Sequence, residues 1–339
     1  MWKSCPAWLV GNGGSSHYMT KYGFSLMCEL HDPRDLVEQA RRAEAAGFDF
    51  LTISDHYHPW LYSHDHSPYA WSVLGALAAV TDTIELVSLV TCPSIRYHPA
   101  IVAQKAATVQ TMSDGRFHLG LGAGENLNEH VVGHGWPPAE TRHEMLTESI
   151  EIMRALWQGG YVTHHGEHYD VEDARVFTLP EKPVPVHVAV SGDKSIELAA
   201  EYGDGVIAVQ PESQFVDDFK QQSGKDDAPA FGQVGVSVMD DADEALRVAH
   251  DRLRFMIPGW KVMAELPNPI NFEAATSTVR PEDVAENVPA GNDPEPILET
   301  VKHWTDAGFS HVALMQAPPD QQPFFDLWEK ELQPALSGS

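Results

Sequence analysis

The sequence predicts an α/β protein in which eight parallel strands close into a (β/α)8 TIM barrel with insertions. Strand-like and helix-like segments alternate from Lys21 onward, and several strand segments are continuous apolar runs, as buried parallel strands require. At 339 residues the chain is long enough to form such a barrel as one domain. A doubly wound open sheet is the main alternative, but eight near-regular repeats favour closure.

The first half of the chain supplies four predicted strands, each followed by a predicted helix. The first strand covers 22–29. The helix over 32–48 begins with Asp32 at the N-cap position and Pro33 in its first turn, and it ends at Gly47. The other elements are strands over 50–55, 84–92 and 116–124 and helices over 69–80, 99–113 and 140–158.

The second half begins with a short predicted hairpin over 161–171, after which the alternation resumes. The predicted strands are 184–192, 205–210, 231–239 and 311–316, and the predicted helices include 242–256 and 295–307. A stretch over 257–292, rich in Pro, Asn and Glu, is predicted as an irregular insertion. We expect residues 1–18 to be a disordered N-terminal extension and 19–336 to be a single domain.

The composition restricts the classes of partner. The chain has 49 acidic and 22 basic residues, a formal net charge of -27, which repels nucleic acid and anionic membranes. No apolar run approaches the roughly 18 residues of a membrane span. The acidity fits either an ordinary solvated surface or that of a halophile in high salt. Cys5, Cys28 and Cys92 share no metal or redox spacing, so we expect a cytoplasmic protein with a small-molecule substrate.

Polar residues follow the apolar runs at the points where the predicted strands end. They are Asp55 and His56 after the second strand, Cys92 after the third, Glu125 after the fourth, and Ser191 and Gly192 after the fifth. In a barrel of this type the site is built from the loops that follow the strands. We therefore expect these side chains to face one shared pocket.

Two local patterns suggest other kinds of site, a metal site and a dinucleotide-binding turn. His56, His58, His64, Asp65 and His66 resemble a metal cluster, but the stretch is loop-like and lacks the spacing of converging ligands, so no metal is expected. The segment 120–129 has the spacing G-x-G-x-G, whereas a dinucleotide turn needs G-x-G-x-x-G opening into a helix. It is therefore either a tight turn or a backbone approach to a ligand with Glu125 as a proton-transfer group.

Four segments together carry a family resemblance. SDHYHPW (54–60), SIRYHPAIVAQKAAT (94–108), LGLGAGENLNE (119–129) and YGDGVI (202–207) occur in this order on the alternating chain. The sequence resembles the luciferase-like family of barrel oxidoreductases, within it the branch that uses the deazaflavin coenzyme F420, and above all the F420-dependent glucose-6-phosphate dehydrogenases. The likeness covers about 21–336 and implies a homodimer.

The resemblance also implies roles for individual residues. His56 is the acid-base group at the substrate hydroxyl, Trp60 packs beside the reacting centre, and Glu125 lies near the deazaflavin ring. The implied coenzyme contacts are Asp55, Leu89 and Val90 (joined by a non-prolyl cis peptide), Cys92, Ala123, Asn128, Ser191 and Gly192 of a phosphate-binding turn, Lys194 and Ser195. The implied substrate contacts are Val209, Glu212, Lys261 and Asn287.

The substrate positions depart from the family pattern. The sugar-phosphate dehydrogenases hold the phosphate with two lysines and an arginine; here Glu212 and Asn287 align with one lysine and the arginine, and Lys261 with the other lysine. A carboxylate at a phosphate site is repulsive. We therefore expect poor use of glucose 6-phosphate and a preference for an uncharged alcohol, a sugar hemiacetal or another carbonyl compound.

The expected chemistry suits these residue types. Oxidising a CH-OH group removes a hydride from carbon and a proton from oxygen, and His accepts a proton near neutral pH. A protonated Glu125 in a dry pocket would supply a second proton. We expect the imidazole and the carboxyl to lie on opposite sides of the ring. The alternatives are a luciferase-like monooxygenase or reductase that uses FMN, and an F420-binding barrel without turnover.

Overall fold

In the computed structural model, which describes residues 19–337, eight parallel strands close into a barrel. They are β1 (Lys21–Leu26), β2 (Phe50–Ile53), β3 (Glu85–Ser88), β4 (Phe117–Leu121), β7 (Val186–Ala189), β8 (Gly205–Ile207), β9 (Ala230–Val236) and β10 (His311–Gln316). Each pairs with its neighbour in chain order, and β1 pairs with β10 to close the ring. The predicted (β/α)8 barrel is confirmed, while the extension predicted over 1–18 lies outside the described residues.

The helices surround this barrel. They are α1 (Pro33–Ala45), α2 (Ala70–Val80), α3 (Pro99–Met112), α5 (Ala139–Trp157), α6 (Asp193–Tyr202), α7 (Ser213–Ser223), α8 (Ala242–Leu253) and α12 (Pro294–Asp306), with α13 (Gln322–Leu327) and α14 (Gln333–Ser337) at the end of the described chain. Asp32, Asp241 and Asp293 accept backbone N–H groups at the starts of α1, α8 and α12. Such caps satisfy donors that have no partner inside a helix and so define where each helix begins.

Two parts of the chain depart from the alternation. The predicted hairpin is confirmed as an antiparallel pair, β5 (Val162–His165) and β6 (Asp170–Ala174). The prediction that 257–292 is irregular is wrong, because this stretch contains α9 (Trp260–Met263), α10 (Pro269–Ala275) and α11 (Pro281–Ala285). Pro269 and Pro281 occupy first turns, where proline favours a helix. A further short helix, α4 (Asn126–Glu129), follows β4.

The insertion helices cover the barrel end at which the strands terminate. Met263, Phe272 and Val284 of the insertion pack in one buried cluster with Trp60 and Met27, which follow β2 and β1. Inside the barrel, a second cluster is centred on Phe50 and Phe231 and fills the space between the strands. The space above these rings is therefore enclosed by the strand-end loops and by the insertion.

None of the helices within 19–337 combines the length and apolar character needed to cross a membrane.

Candidate active site

A cavity of about 890 Å³ lies where the barrel strands end. Many of the residues singled out from the sequence are among those that line it: His56, Trp60, Leu89, Val90, Ala123, Glu125, Ser191, Ser195, Val209, Lys261 and Asn287. They come from loops after β2, β3, β4, β7 and β8 and from the insertion. Closure of the barrel brings these separate strand ends around one space.

His56 is paired with a carboxylate that the sequence analysis did not identify. Its Nδ1 contacts Oε1 of Glu29, whose other oxygen accepts a hydrogen bond from the Ser54 hydroxyl at 2.9 Å. Glu29 also lines the cavity and is only 1% exposed. Leu26 pairs with Ile53 in the barrel, and Glu29 and His56 each lie three residues beyond that pair. The register of β1 against β2 therefore places the two side chains together.

This pairing controls the charge on the imidazole. Burial would lower the pKa of His56, but the carboxylates of Glu29 and Glu125 outweigh it and raise the pKa to about 9. Burial would raise the pKa of Glu29, but the neighbouring His56 outweighs it and lowers the pKa to about 2. At neutral pH the pair is therefore an imidazolium and a carboxylate.

Glu125 reaches the same imidazole from the end of β4. Its Oε2 lies 3.5 Å from His56 Nε2 and accepts a hydrogen bond from Asn128 Nδ2 at 2.8 Å. Burial raises the pKa of this carboxyl, and His56 opposes that rise. The expectation that the two groups lie on opposite sides of a ring is wrong, since a ring between them needs two contacts of about 3.5 Å each. The two groups therefore meet at one point of the cavity lining.

Trp60 forms the wall beside the imidazole. Its ring meets His56 edge to face, with ring centroids 4.7 Å apart, and stacks on Phe255 at 4.9 Å with an interplanar angle of 8°. Phe272 from the insertion contacts it edge to face at 5.1 Å. Trp60 is therefore held in place by the insertion, and it in turn restricts the orientation of His56.

Asp55 does not line the cavity, contrary to the coenzyme contact implied by the resemblance. Its carboxylate is 3% exposed and accepts hydrogen bonds from Trp71 Nε1 at 3.0 Å, Thr91 Oγ1 at 2.8 Å and the Tyr97 hydroxyl at 3.1 Å. Arg96 Nη2 donates to its carboxylate at 3.2 Å and to its backbone oxygen at 2.6 Å. Asp55 therefore fixes the backbone next to His56.

Five other predicted contacts also lie outside the set of lining residues: Cys92, Asn128, Gly192, Lys194 and Glu212. Cys92 is buried with its Sγ 2.8 Å from Ser94 Oγ, and Asn128 Oδ1 accepts the N–H of Tyr57 at 2.8 Å. Gly192 and Glu212 occupy the N-cap positions of α6 and α7, and Lys194 points to Glu197 at 3.8 Å. Cys92 and Asn128 therefore support the residues that line the cavity. Gly192, Lys194 and Glu212 belong to the starts of α6 and α7 at the edge of the cavity.

Backbone features mark the remaining predicted coenzyme contacts. The Leu89–Val90 peptide is cis and not prolyl, as the resemblance implies, and both residues line the cavity. At the start of α6, Ser195 Oγ accepts the N–H groups of Ser191 at 2.9 Å and Gly192 at 3.2 Å. This turn is thus held by a side-chain cap at a helix N-terminus, a place suited to anions.

Part of the cavity lining is polar and mixed in charge. Besides the groups around His56, the lining includes Lys261, Glu286, Asn287, Glu299 and His303. Within 19–337, no group of three or more His, Cys, Asp and Glu side chains is arranged to hold a metal ion. Met27, Met263 and Phe255 supply apolar lining to the same cavity.

Comparisons with known proteins agree with this geometry. The family model of the luciferase-like monooxygenases matches residues 8–311. F420-dependent glucose-6-phosphate dehydrogenases of Segniliparus rotundus and Microbacterium testaceum are 34% and 33% identical over 93% of this chain and cover 98% and 97% of their own lengths. A solved F420-dependent secondary alcohol dehydrogenase in complex with an F420-acetone adduct is 30% identical, with a TM-score of 0.87 over 94% of this chain and 99% of its own.

A more distant structure, the coenzyme F420 dependent tetrahydromethanopterin reductase from Methanopyrus kandleri, shares the fold at 19% identity with a TM-score of 0.75, covering 94% of this chain and all of its own. The identities and coverage leave no doubt about the assignment: the chain belongs to the luciferase-like family, in its F420-dependent oxidoreductase branch.

Proposed function

We propose that this protein is an F420-dependent oxidoreductase that transfers a hydride between a CH-OH carbon and C5 of the deazaflavin. The observation that carries the proposal is the buried His56–Glu29 pair, which opens onto a cavity at the end of the barrel. Two of the relatives are an F420-dependent glucose-6-phosphate dehydrogenase and an F420-dependent secondary alcohol dehydrogenase.

The residues around the cavity suit the coenzyme. Leu89, Val90 and Ala123 supply an apolar surface for a flat ring, and Ser191 and Ser195 lie at a helix start that favours a phosphate. When bound, the deazaflavin would supply the acceptor for a hydride, that is, for two electrons and one proton transferred together. The protein itself must then handle the proton of the substrate hydroxyl.

His56 is the group that handles this proton. In alcohol oxidation the neutral Nε2 accepts the hydroxyl proton as the carbon loses its hydride, and in carbonyl reduction the protonated Nε2 returns it. Glu29 holds the proton on Nδ1, so Nε2 is the nitrogen that faces the cavity and Glu125. Glu125, whose pKa burial raises, is available to hold or release a second proton.

We propose an uncharged alcohol, sugar or carbonyl compound as substrate. Trp60, Phe255 and Met263 give the cavity an apolar lining, and Glu286 and Glu299, which also line it, repel a dianion. Lys261 is a cation there, whereas Asn287 and Glu212 stand at the other two positions aligned with phosphate-binding residues. This set of residues does not suit the phosphate of glucose 6-phosphate.

A spectroscopic experiment tests the proposal. The purified protein is titrated with F420 and, separately, with FMN, and a panel of secondary alcohols and sugars is then added to the F420 complex. We expect binding of F420 and a substrate-dependent loss of its absorbance. Binding of FMN alone, with oxygen consumption, would instead establish the flavin monooxygenase alternative.

A further inference from the structure

Arg142 on α5 is a buried arginine whose hydrogen-bonding capacity is only partly used. It is 5% exposed, lines the cavity, and donates through Nη2 to Oε1 of Glu265 at 2.9 Å. Its guanidinium lies 4.1 Å from the centre of the Trp136 ring. Nε and Nη1 are buried and have no hydrogen-bond partner. A buried cation with unmet donors is costly unless an acceptor is supplied.

Other basic groups lie close to Arg142. His143 lines the same cavity, and burial, Arg142 and Lys194 all lower its pKa, so the three groups are within electrostatic reach of one another. Arg142 and His143 lie in the second turn of α5, and Lys194 lies in the first turn of α6. Cations near a helix N-terminus are unfavourable. Arg142, His143 and Lys194 nevertheless lie close together in a chain whose net charge is -27, and this indicates a binding site for an anion.

The start of α6 faces the same part of the cavity. Ser191 and Ser195 line it together with Arg142 and His143, so the two helix starts enclose one region. We propose that Arg142 binds the anionic, phosphate-bearing side chain of the deazaflavin coenzyme between the starts of α5 and α6. This inference rests on the proposed function and adds to it a binding residue that the sequence patterns did not indicate.

Glu265 links Arg142 to the insertion. It lies in the insertion, and its Oε2 also accepts the Trp136 indole N–H at 2.9 Å, while its backbone oxygen accepts from Asn126 at 3.1 Å. One edge of the Arg142 guanidinium is thus tied to the insertion, and the other donors are left for the ligand. In this proposal the Arg142 side chain therefore both binds the coenzyme and holds the insertion in position.

The test compares two ligands on matched variants. Arg142→Gln removes the charge, and Arg154→Gln is the control because Arg154 lies on the same helix, is 43% exposed and pairs with Asp204. Dissociation constants are measured by fluorescence for F420 and for its deazaflavin–ribitol fragment, which lacks the phosphate. We expect Arg142→Gln to weaken F420 binding about 30-fold, as for loss of a charge-assisted hydrogen bond, and to leave fragment binding unchanged.

A third variant separates the ligand contact from the tie to the insertion. Glu265→Gln should retain tight F420 binding, because Glu265 does not contact the ligand in this proposal. Equal weakening of F420 and the fragment by Arg142→Gln, or a loss with Glu265→Gln as large as that with Arg142→Gln, would overturn the inference. Failure of the unmodified protein to bind F420 at all would refute the proposed function as well, whereas an unchanged affinity in Arg142→Gln would refute only the inference.

Discussion

Glu29→Gln should move the pH dependence of the reaction, because Glu29 is the nearest charge to His56. The rise of the His56 pKa from 6.5 to about 9 corresponds to about 3 kcal/mol. With that pKa, only about 1% of His56 is neutral at pH 7. Without the Glu29 charge, burial opposes Glu125 alone, and the pKa should return toward its ordinary value, so that about half of His56 or more is neutral at pH 7.

The sign of the effect depends on the direction of the reaction. Alcohol oxidation needs neutral His56, so its rate in the unmodified protein should rise with pH up to about 9, and Glu29→Gln should move that midpoint to lower pH by roughly two units. Carbonyl reduction needs the protonated form and should fall above the same midpoint. The plateau rate should also drop, because Glu29 fixes the orientation of the imidazole.

The assay measures kcat for alcohol oxidation from pH 5 to 10 in the unmodified protein, in Glu29→Gln and in Glu38→Gln. Glu38 is a suitable control because it is an exposed residue of α1 that pairs with Arg41. An NMR titration of the His56 ring gives the pKa directly. A midpoint that stays near pH 9 in Glu29→Gln would show that this carboxylate does not set the charge of His56, and the argument from the pair would fail.

Three further outcomes are expected. His56→Ala should abolish turnover and leave F420 affinity within about twofold, since the lost group handles the substrate proton and not the coenzyme; rates like those of the unmodified protein would remove His56 from the mechanism. Glucose 6-phosphate should be a poor substrate, and Glu212→Lys should raise its kcat/KM several-fold by removing repulsion, whereas efficient use by the unmodified protein would contradict the phosphate argument. Burial lowers the pKa values of His187 and His311, the latter to about 3, so the stability that these two residues contribute is present above pH 6.5 and is lost as the pH drops below it. The raised pKa of His56 acts in the opposite direction and offsets part of this loss. The free energy of unfolding should therefore be lower at pH 5 than at pH 7.5, and denaturant titrations giving equal values would contradict this.

The sequence patterns located most of the fold because periodicity is a local property. Continuous apolar runs and helix signals predicted the eight barrel strands and the helices that follow the first seven, and the structure confirms them. The exception is the insertion, where the proline-rich composition predicts irregular chain but Pro269 and Pro281 begin short helices. Proline has both effects, and the choice depends on the packing of Phe272 and Val284 against the barrel end.

The same local logic found part of the candidate site. His56 and Glu125 are predicted because polar groups at the ends of parallel strands converge in any such barrel, while the family resemblance implies Trp60, and all three line the cavity. Asp55 also lies at a strand end in the sequence, but its carboxylate accepts hydrogen bonds from Trp71, Thr91 and other neighbours. The position of a residue along a strand predicts the end of the barrel at which the residue lies, but it does not predict the direction in which the side chain points.

The sequence by itself determined the barrel, the end of it that holds the candidate site, and an acidic character that disfavours nucleic acid as a partner. Only the tertiary structure decided that Glu29 meets His56, that Asp55 is internal, and that Arg142 borders the cavity. These contacts join residues from different elements, and the register of β1 on β2 or the placement of α5 fixes them. The charge of a buried group is set by such neighbours, so its chemistry follows from the folded chain and not from local spacing.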